Sequence, residues 1–123
     1  MFIITDEDKL GKALTQFNNV ITNFASSDKI DDSAFRAAEI YQHFGDYEIA
    51  AVYYQRTFQW NEYTPYPARF KAARLMDQKL KMKKEALTLY RMAVKEEERY
   101  EDNTEFARDR IIKLTKIVEP QEQ

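Results

Sequence analysis

A short pattern of small and aromatic residues recurs in this chain at a spacing of 36 or 37 residues. Each copy begins with an alanine, and an aromatic residue follows four positions later: Ala13 with Phe17, Ala50 with Tyr54, and Ala86 with Tyr90. A second series, Ala34, Phe70 and Phe106, repeats every 36 residues, with one member after each copy. A fixed period of this length is typical of chains that stack copies of one small structural unit. Small residues let neighbouring helices approach closely, and the aromatic rings fill the space between successive units.

Apolar residues also recur at helical spacing through nearly the whole chain. In the first segment Leu10, Leu14, Phe17, Ile21 and Phe24 follow one another at alternating steps of four and three residues, which is typical of an amphipathic helix. The pattern predicts six helices, at about residues 6–24, 32–44, 47–60, 65–80, 83–99 and 104–118. The connectors are short, so we expect consecutive helices to form antiparallel hairpins and the fold class to be all-α.

Single residues mark several of the predicted helix ends. Gly45 stands where a left-handed residue commonly follows a helix, and Asp46 and Thr104 are predicted to cap the third and sixth helices. The predicted organisation is one helical repeat domain with a short segment on either side: an N-terminal extension (1–5), the repeat domain (6–118) and a polar tail (119–123).

The segment from residue 34 to residue 54 resembles the tetratricopeptide repeat family. It carries the family's small residue, tyrosine, turn and alanine–aromatic pair: Ala38, Tyr41, Gly45-Asp46-Tyr47, and Ala50 with Tyr54. The resemblance covers about residues 10–118 and implies a right-handed superhelical array of about six helices. The connectors resemble those of the bacterial cell-envelope subgroup of this family.

The next repeat, residues 68–100, keeps part of the motif and departs from the rest. It retains Ala73, Ala86, Tyr90 and Ala93. Arg74, Asp77 and Lys81 replace the family's small residue, tyrosine and turn glycine.

In this family the first helix of each hairpin lines a concave groove that binds a partner. The resemblance places these residues of the second predicted helix at the groove: Asp32, Phe35, Glu39, Gln42 and His43. In the fourth helix it places Lys71, Leu75, Gln78 and Lys79 there, and in the sixth Thr104, Ala107, Ile111 and Leu114. The alternative is that these positions are solvated helix faces.

Aromatic residues are concentrated in the middle of the chain. Trp60, Tyr63 and Tyr66 lie off the main apolar stripe, near the break at Pro65. Tyrosine and tryptophan are common anchors at interfaces, so this group is a candidate for partner binding or self-association. The alternative is a tyrosine-rich packing of the proline corner.

Charge is unevenly distributed, although the net charge is only −2. Residues 63–84 hold seven bases and one acid, and the flanking segments are acidic. This basic segment could meet an acidic peptide, a phosphate or the chain's own Glu96-Glu97-Glu98, although we expect those glutamates to pair with Lys95, Arg99 and Lys113. An acidic chain overall is a poor candidate for nucleic-acid binding.

Composition excludes several kinds of active site. The chain has no cysteine and one histidine, His43, which excludes disulfides, thiolate metal sites, a cysteine nucleophile and a multi-histidine metal site. Two glycines are too few for a phosphate-cradling loop. We expect no cofactor, no metal and no catalysis, with His43 a surface residue.

No apolar run is long enough to span a membrane, and the N-terminus lacks the basic region of a signal peptide. We expect no membrane insertion. The compartment stays open: cytoplasmic for a full-length chain, periplasmic or cell-envelope for a fragment that has lost its export signal.

The predicted function is a non-catalytic scaffold or adaptor that binds another protein or peptide, or a second copy of itself. Two alternatives remain. One is anion or nucleic-acid binding through the basic segment, and the other is a structural or oligomerisation domain of a larger assembly.

Overall fold

The computed structural model describes residues 30–120, together with Lys12 and Thr15. The described residues form five α-helices and no β-strand, which confirms the all-α class for this part of the chain. The helices are α1 (Ile30–His43), α2 (Tyr47–Trp60), α3 (Ala68–Gln78), α4 (Lys83–Glu96) and α5 (Glu101–Val118). Three predicted parts of the chain lie outside the described residues. They are the N-terminal extension (1–5), the first helix apart from positions 12 and 15, and residues 121–123 of the tail. The chain divides into two compact units, residues 1–66 and 67–123.

In the first unit, α1 and α2 form an antiparallel hairpin. Near the turn Tyr54 contacts Gln42, and at the far end Asn61, just beyond α2, contacts Asp31. The later residue of α1 thus contacts the earlier residue of the second segment, and the earlier residue of α1 contacts the later one. The two helices are therefore antiparallel. The small residues of both helices are buried: Ala34, Ala37, Ala38, Ala50 and Ala51.

The turn between α1 and α2 contains a left-handed glycine, as predicted. Gly45 has a φ of +82°, where a side chain would be strained. Its N–H donates to the carbonyl of Gln42 at 3.0 Å, and the N–H of Asp46 donates to that of Tyr41 at 2.9 Å. These two bonds form a Schellman motif, which satisfies the last carbonyls of α1. Asp46 precedes α2, but its side chain makes no capping hydrogen bond.

The connector after α2 folds back onto the start of α1. Thr64 Oγ1 donates to Asp31 Oδ2 at 2.7 Å. The hydroxyl of Tyr66 donates to the carboxylate of Asp32, and its ring stacks on Phe35 with centroids 4.7 Å apart. These contacts close the first unit at its open end.

In the second unit, α3 and α4 form another antiparallel hairpin. Asp77 contacts Lys83 near the turn, and Arg69 contacts Glu97 at the far end. The turn has the same backbone feature as the first hairpin, because Lys81 has a φ of +56°. It lies 36 residues after Gly45. A side chain in this conformation costs about 1–2 kcal/mol.

The last helix, α5, packs against α4 and also lies beside α3. Phe70 contacts Phe106, and Asp77 contacts Arg110. Residue numbers rise together in these two pairs, so α3 and α5 run parallel to one another. Tyr90 on α4 completes the cluster, with its ring centroid 6.1 Å from that of Phe70 and 6.3 Å from that of Phe106.

Several predicted helix ends differ from the structure. The second predicted helix, 32–44, is Ile30–His43, and the fourth, 65–80, is Ala68–Gln78. The fifth predicted helix ends at Glu96 rather than Arg99, because Glu97 leaves the helix to cap the start of α3. The sixth begins at Glu101, so Thr104 lies inside the first turn and donates to the carbonyl of Glu101 at 3.0 Å. The prediction of α2, Tyr47–Trp60, is confirmed at both ends.

Candidate functional site

Asp77 lies at the centre of the second unit and is 2% exposed. Its Oδ1 accepts from Lys83 Nζ at 2.7 Å and from Arg110 Nη2 at 2.9 Å. Its Oδ2 accepts from Arg110 Nε at 2.7 Å and from the Tyr90 hydroxyl at 3.0 Å. One carboxylate thus joins α3, α4 and α5, and the two cations offset the cost of burying it.

These contacts hold Asp77 in its charged form. Burial alone would raise the pKa of Asp77, but the hydrogen bonds from the two cations and the phenol outweigh it and keep that pKa below its usual value. The same bond to Asp77 raises the pKa of Arg110. Burial, together with the neighbouring carboxylate, raises the pKa of Tyr90, so its phenol stays a donor.

An open depression of about 440 Å³ adjoins this network. Its lining comprises three cations, two carboxylates, an amide and an aromatic ring: Lys83, Arg110, Lys113, Asp77, Asp109, Gln78 and Phe106. The guanidinium of Arg74 lies over the ring of Phe106, 5.6 Å from the ring centroid, in a cation–π contact. The depression therefore combines an apolar surface with cationic groups.

A second buried carboxylate fixes the other end of α3. Glu97 is 2% exposed, and its two oxygens accept from the backbone N–H groups of Arg69 and Phe70 at 2.8 and 3.1 Å. The Arg69 guanidinium lies 3.4 Å away. Burial raises the pKa of Glu97, against the opposing effect of these donors. Glu97 thus caps α3 in place of a local residue, since Pro67 supplies no capping side chain.

This geometry corrects the expected pairing of the glutamate run. Glu97 pairs with Arg69 of the basic segment, which matches the alternative in which that segment meets the chain's own acidic helix end. Lys113 pairs with Asp109 at 3.0 Å rather than with the glutamates.

The five α1 residues placed at the groove have different surroundings. Asp32 accepts from the hydroxyl of Tyr66. Phe35 is 4% exposed and packs against the ring of Tyr54, with centroids 5.4 Å apart. Glu39 accepts from Arg36 at 2.7 Å on the surface. Gln42 accepts from the Tyr54 hydroxyl at 2.6 Å, and His43 is exposed at the end of the helix.

The predicted aromatic group separates into one packed and two exposed members. Tyr66 is held by Phe35 and Asp32 within the first unit. Trp60 is 41% exposed and Tyr63 is 83% exposed. Of this predicted group, Trp60 and Tyr63 are the members that offer an exposed aromatic surface to a partner.

The four predicted residues on and just after α3 differ in exposure. Leu75 is buried, Lys71 is half-buried, and Gln78 and Lys79 are exposed. Gln78 belongs to the depression beside Asp77 and accepts from Arg74 Nε at 3.3 Å. The depression therefore contains one of the sequence-predicted contact residues.

Three of the four groove positions expected on the last helix are buried, and the fourth, Ile111, is half-buried. Thr104, Ala107 and Leu114 are buried, and the residues that line the depression lie beside them: Phe106, Asp109, Arg110 and Lys113. A signal for this surface was present in the sequence. Asp77 lies seven residues after Phe70 on the same helix face, and a carboxylate at a core position requires a cation from a neighbouring helix.

The chain matches no protein-family model, no curated protein and no solved structure. Among the described residues, no cluster of three or more histidine, aspartate or glutamate side chains is arranged to hold a metal ion. Within the same residues, no helix is both long and apolar enough to cross a bilayer.

Proposed function

We propose that this chain is a non-catalytic protein-interaction module of the tetratricopeptide repeat type. Its hairpins form a right-handed superhelical array, and the surface of the first helix in each hairpin binds a partner protein or peptide. Such a module acts as a scaffold or adaptor, and its partner is chosen by the exposed side chains rather than by the fold.

The observation that carries this proposal is the equivalence of residues 36 positions apart. Gly45 and Lys81 both adopt the left-handed conformation at a hairpin turn. Tyr54 and Tyr90 are also 36 positions apart, and each hydroxyl donates to the preceding helix, although the acceptors Gln42 and Asp77 are 35 positions apart. Recurrence of a turn and of a buried tyrosine at one period is typical of repeat architectures.

The parallel pair of α3 and α5 supports a binding surface in the second unit. Both helices expose polar side chains beside the depression, among them Gln78, Asp109 and Lys113. A partially apolar floor with convergent polar groups is the usual character of a recognition site.

Two members of the basic segment are occupied within the chain, which weakens the nucleic-acid alternative. Arg69 is buried against Glu97, and Lys83 is bound by Asp77. The chain as a whole has a net charge of −2, which also disfavours a long polyanion.

Selection of peptides against the whole chain tests the proposal. A phage-displayed library of random twelve-residue peptides is panned on the immobilised chain, and enriched peptides are synthesised and measured by fluorescence anisotropy. We expect saturable binding with a Kd of roughly 1–100 μM, typical of a short peptide in a shallow site. If no enriched peptide binds saturably in solution, the protein-interaction role is wrong.

A further inference from the structure

We propose that the exposed face of α2 binds a helix of another protein, one that has apolar side chains along one face and an acidic side chain in the middle of them. This surface lies on the second helix of the first hairpin, so it goes beyond the first-helix surface of the proposed function. Three exposed apolar residues and one arginine between them form it: Ile49, Val52, Trp60 and Arg56.

The apolar residues form a stripe along α2. Ile49, Val52 and Trp60 are 45%, 47% and 41% exposed. With Arg56 they follow one another at steps of three, four and four residues, which places them on one face of a helix. The stripe is about 16 Å long at the helical rise of 1.5 Å per residue. Exposed apolar residues grouped in this way are typical of interaction sites, and this stripe matches about three turns of a partner helix.

Tyr63 adds a further exposed aromatic ring just after α2. It is 83% exposed, and its backbone N–H donates to the side-chain oxygen of Asn61 at 3.1 Å. Asn61 in turn donates to Asp31 at the start of α1. The turn that carries this tyrosine is therefore held in place before any partner binds.

The equivalent face of α4 is polar. Positions 36 residues after the three apolar residues of the stripe are exposed on α4 and hold Glu85, Thr88 and Glu96. The buried alanine and tyrosine of the repeat are the same in both helices. The hairpin therefore does not require apolar side chains on this face, which leaves recognition as the role of those on α2.

Arg56 determines the charge that a partner of this face carries. Its guanidinium is exposed and donates to Gln59 Oε1 at 2.9 Å. Among the described residues no carboxylate forms an ion pair with it. A carboxylate in the middle of the partner's apolar face would meet this arginine, and arginines flanked by apolar groups are common anchors at interfaces.

Charge disfavours a second copy of α2 as the occupant. The acidic residues Glu48 and Glu62 lie at the two ends of the stripe, and Arg56 lies in its middle. Two α2 stripes paired in register, parallel or antiparallel, would place like charges opposite one another. A helix that is basic at both ends and acidic in the middle has the complementary order. The acidic ends also disfavour an anionic membrane surface.

The test measures binding of a labelled helical peptide to the whole chain by fluorescence anisotropy. The peptide has about eighteen residues, with leucines at alternating steps of three and four, one glutamate in the middle of the leucine stripe, and lysines at both ends. A matched peptide has lysine in place of that glutamate.

The variants use residues that the repeat already accepts. Ile49→Glu and Trp60→Glu each give α2 the residue that α4 has at the equivalent position. Arg56→Glu reverses the charge in the middle of the stripe. Lys95→Glu makes the same charge change on an exposed position of α4 and serves as the control.

We expect saturable binding of the glutamate peptide, at least about fivefold tighter than that of the lysine peptide. Trp60→Glu should weaken binding of the glutamate peptide by about tenfold or more, and Ile49→Glu by about fivefold. Arg56→Glu should weaken it by about fivefold and should bind the lysine peptide more tightly than the unmodified chain does. Lys95→Glu should stay close to the unmodified chain.

Equal affinity for the two peptides, equal effects of Arg56→Glu and Lys95→Glu, or no saturable binding would overturn the inference. A dimer in light scattering that Trp60→Glu abolishes would assign the face to a second copy instead. Cosedimentation with phosphatidylcholine–phosphatidylserine vesicles that Trp60→Glu abolishes would assign it to a membrane. Either of these results would also overturn the inference. Random-library peptides test the first-helix surface independently, so the two proposals fail separately.

Discussion

The ring of Phe70 meets the ring of Phe106 edge to face, with centroids 5.8 Å apart and planes at 86°. These residues are 36 positions apart, so the sequence period brings equivalent positions of two helices into direct contact. Edge-to-face pairs add about 0.5–1.5 kcal/mol beyond the burial of their surface. The contact is the structural counterpart of the repeat in the sequence.

A double-mutant cycle on this pair measures that energy. We expect Phe70→Leu and Phe106→Leu each to lower the free energy of unfolding, with a coupling energy of about 0.5–1.5 kcal/mol between them. Urea denaturation of the two single variants and the double variant gives the coupling. A cycle that pairs Phe70 with Ile117, an exposed residue near the end of α5, should be additive. Additivity of Phe70 and Phe106 would mean that the ring contact contributes nothing.

The left-handed lysine at the second turn predicts an unusual stabilising substitution. Replacing Lys81 with glycine removes the steric cost of a φ of +56°, so Lys81→Gly should raise the free energy of unfolding by about 1 kcal/mol. Gly45→Ala should lower it by a similar amount, although no atom lies within 4 Å of the added Cβ. Lys84→Gly, on an exposed helical position, serves as the control and should be destabilising. A lower urea midpoint for Lys81→Gly would contradict the turn geometry.

The network around Asp77 should dominate the stability of the second unit. Asp77→Ala leaves Arg110 and Lys83 without their shared carboxylate, so we expect a loss of about 3–5 kcal/mol of unfolding free energy. Asp109→Ala removes an exposed carboxylate from the same depression and should cost less than about 1 kcal/mol. Chemical denaturation of both variants checks the contrast. Equal effects would show that Asp77 is solvated rather than buried among cations.

The two buried carboxylates should titrate in opposite directions from their ordinary values. The pKa of Asp77 is lowered from 3.8, so its contribution to stability is present above that pH and is lost as the pH falls through the folded value. The pKa of Glu97 is raised from 4.5, so its contribution is fully present below that pH and is lost as the pH rises through the folded value. NMR titration of the side-chain carboxyl carbons measures both. A Glu97 that titrates below 4.5 would mean that its hydrogen bonds outweigh burial.

Periodicity was sufficient to predict the helices that repeat and the turn between the first two described helices. The bounds of α2 and the left-handed Gly45 follow from local pattern, because a helix face and a glycine turn depend on residues close together in sequence. The start of α5 was predicted three residues late, since Thr104 is a common capping residue that here bonds within the first turn.

The site depended on contacts that local pattern does not contain. Asp77 stood out as a departure from the repeat motif, but its partner Arg110 lies 33 residues further along. The capping of α3 by Glu97 joins residues 28 apart. Both pairings depend on the packing of three helices. The sequence therefore shows the charged residues but not which partner each of them has.

The most direct test of the proposed role is the location of a bound peptide on the whole chain. Amide shifts of the isotope-labelled chain are followed by NMR as a peptide from the random library is added. We expect the largest changes on the exposed positions of residues 71–79 and 106–113, with residues 84–95 of α4 nearly unaffected. Changes confined to α4, or no changes at saturating peptide, would contradict a binding surface on the first helices of the hairpins.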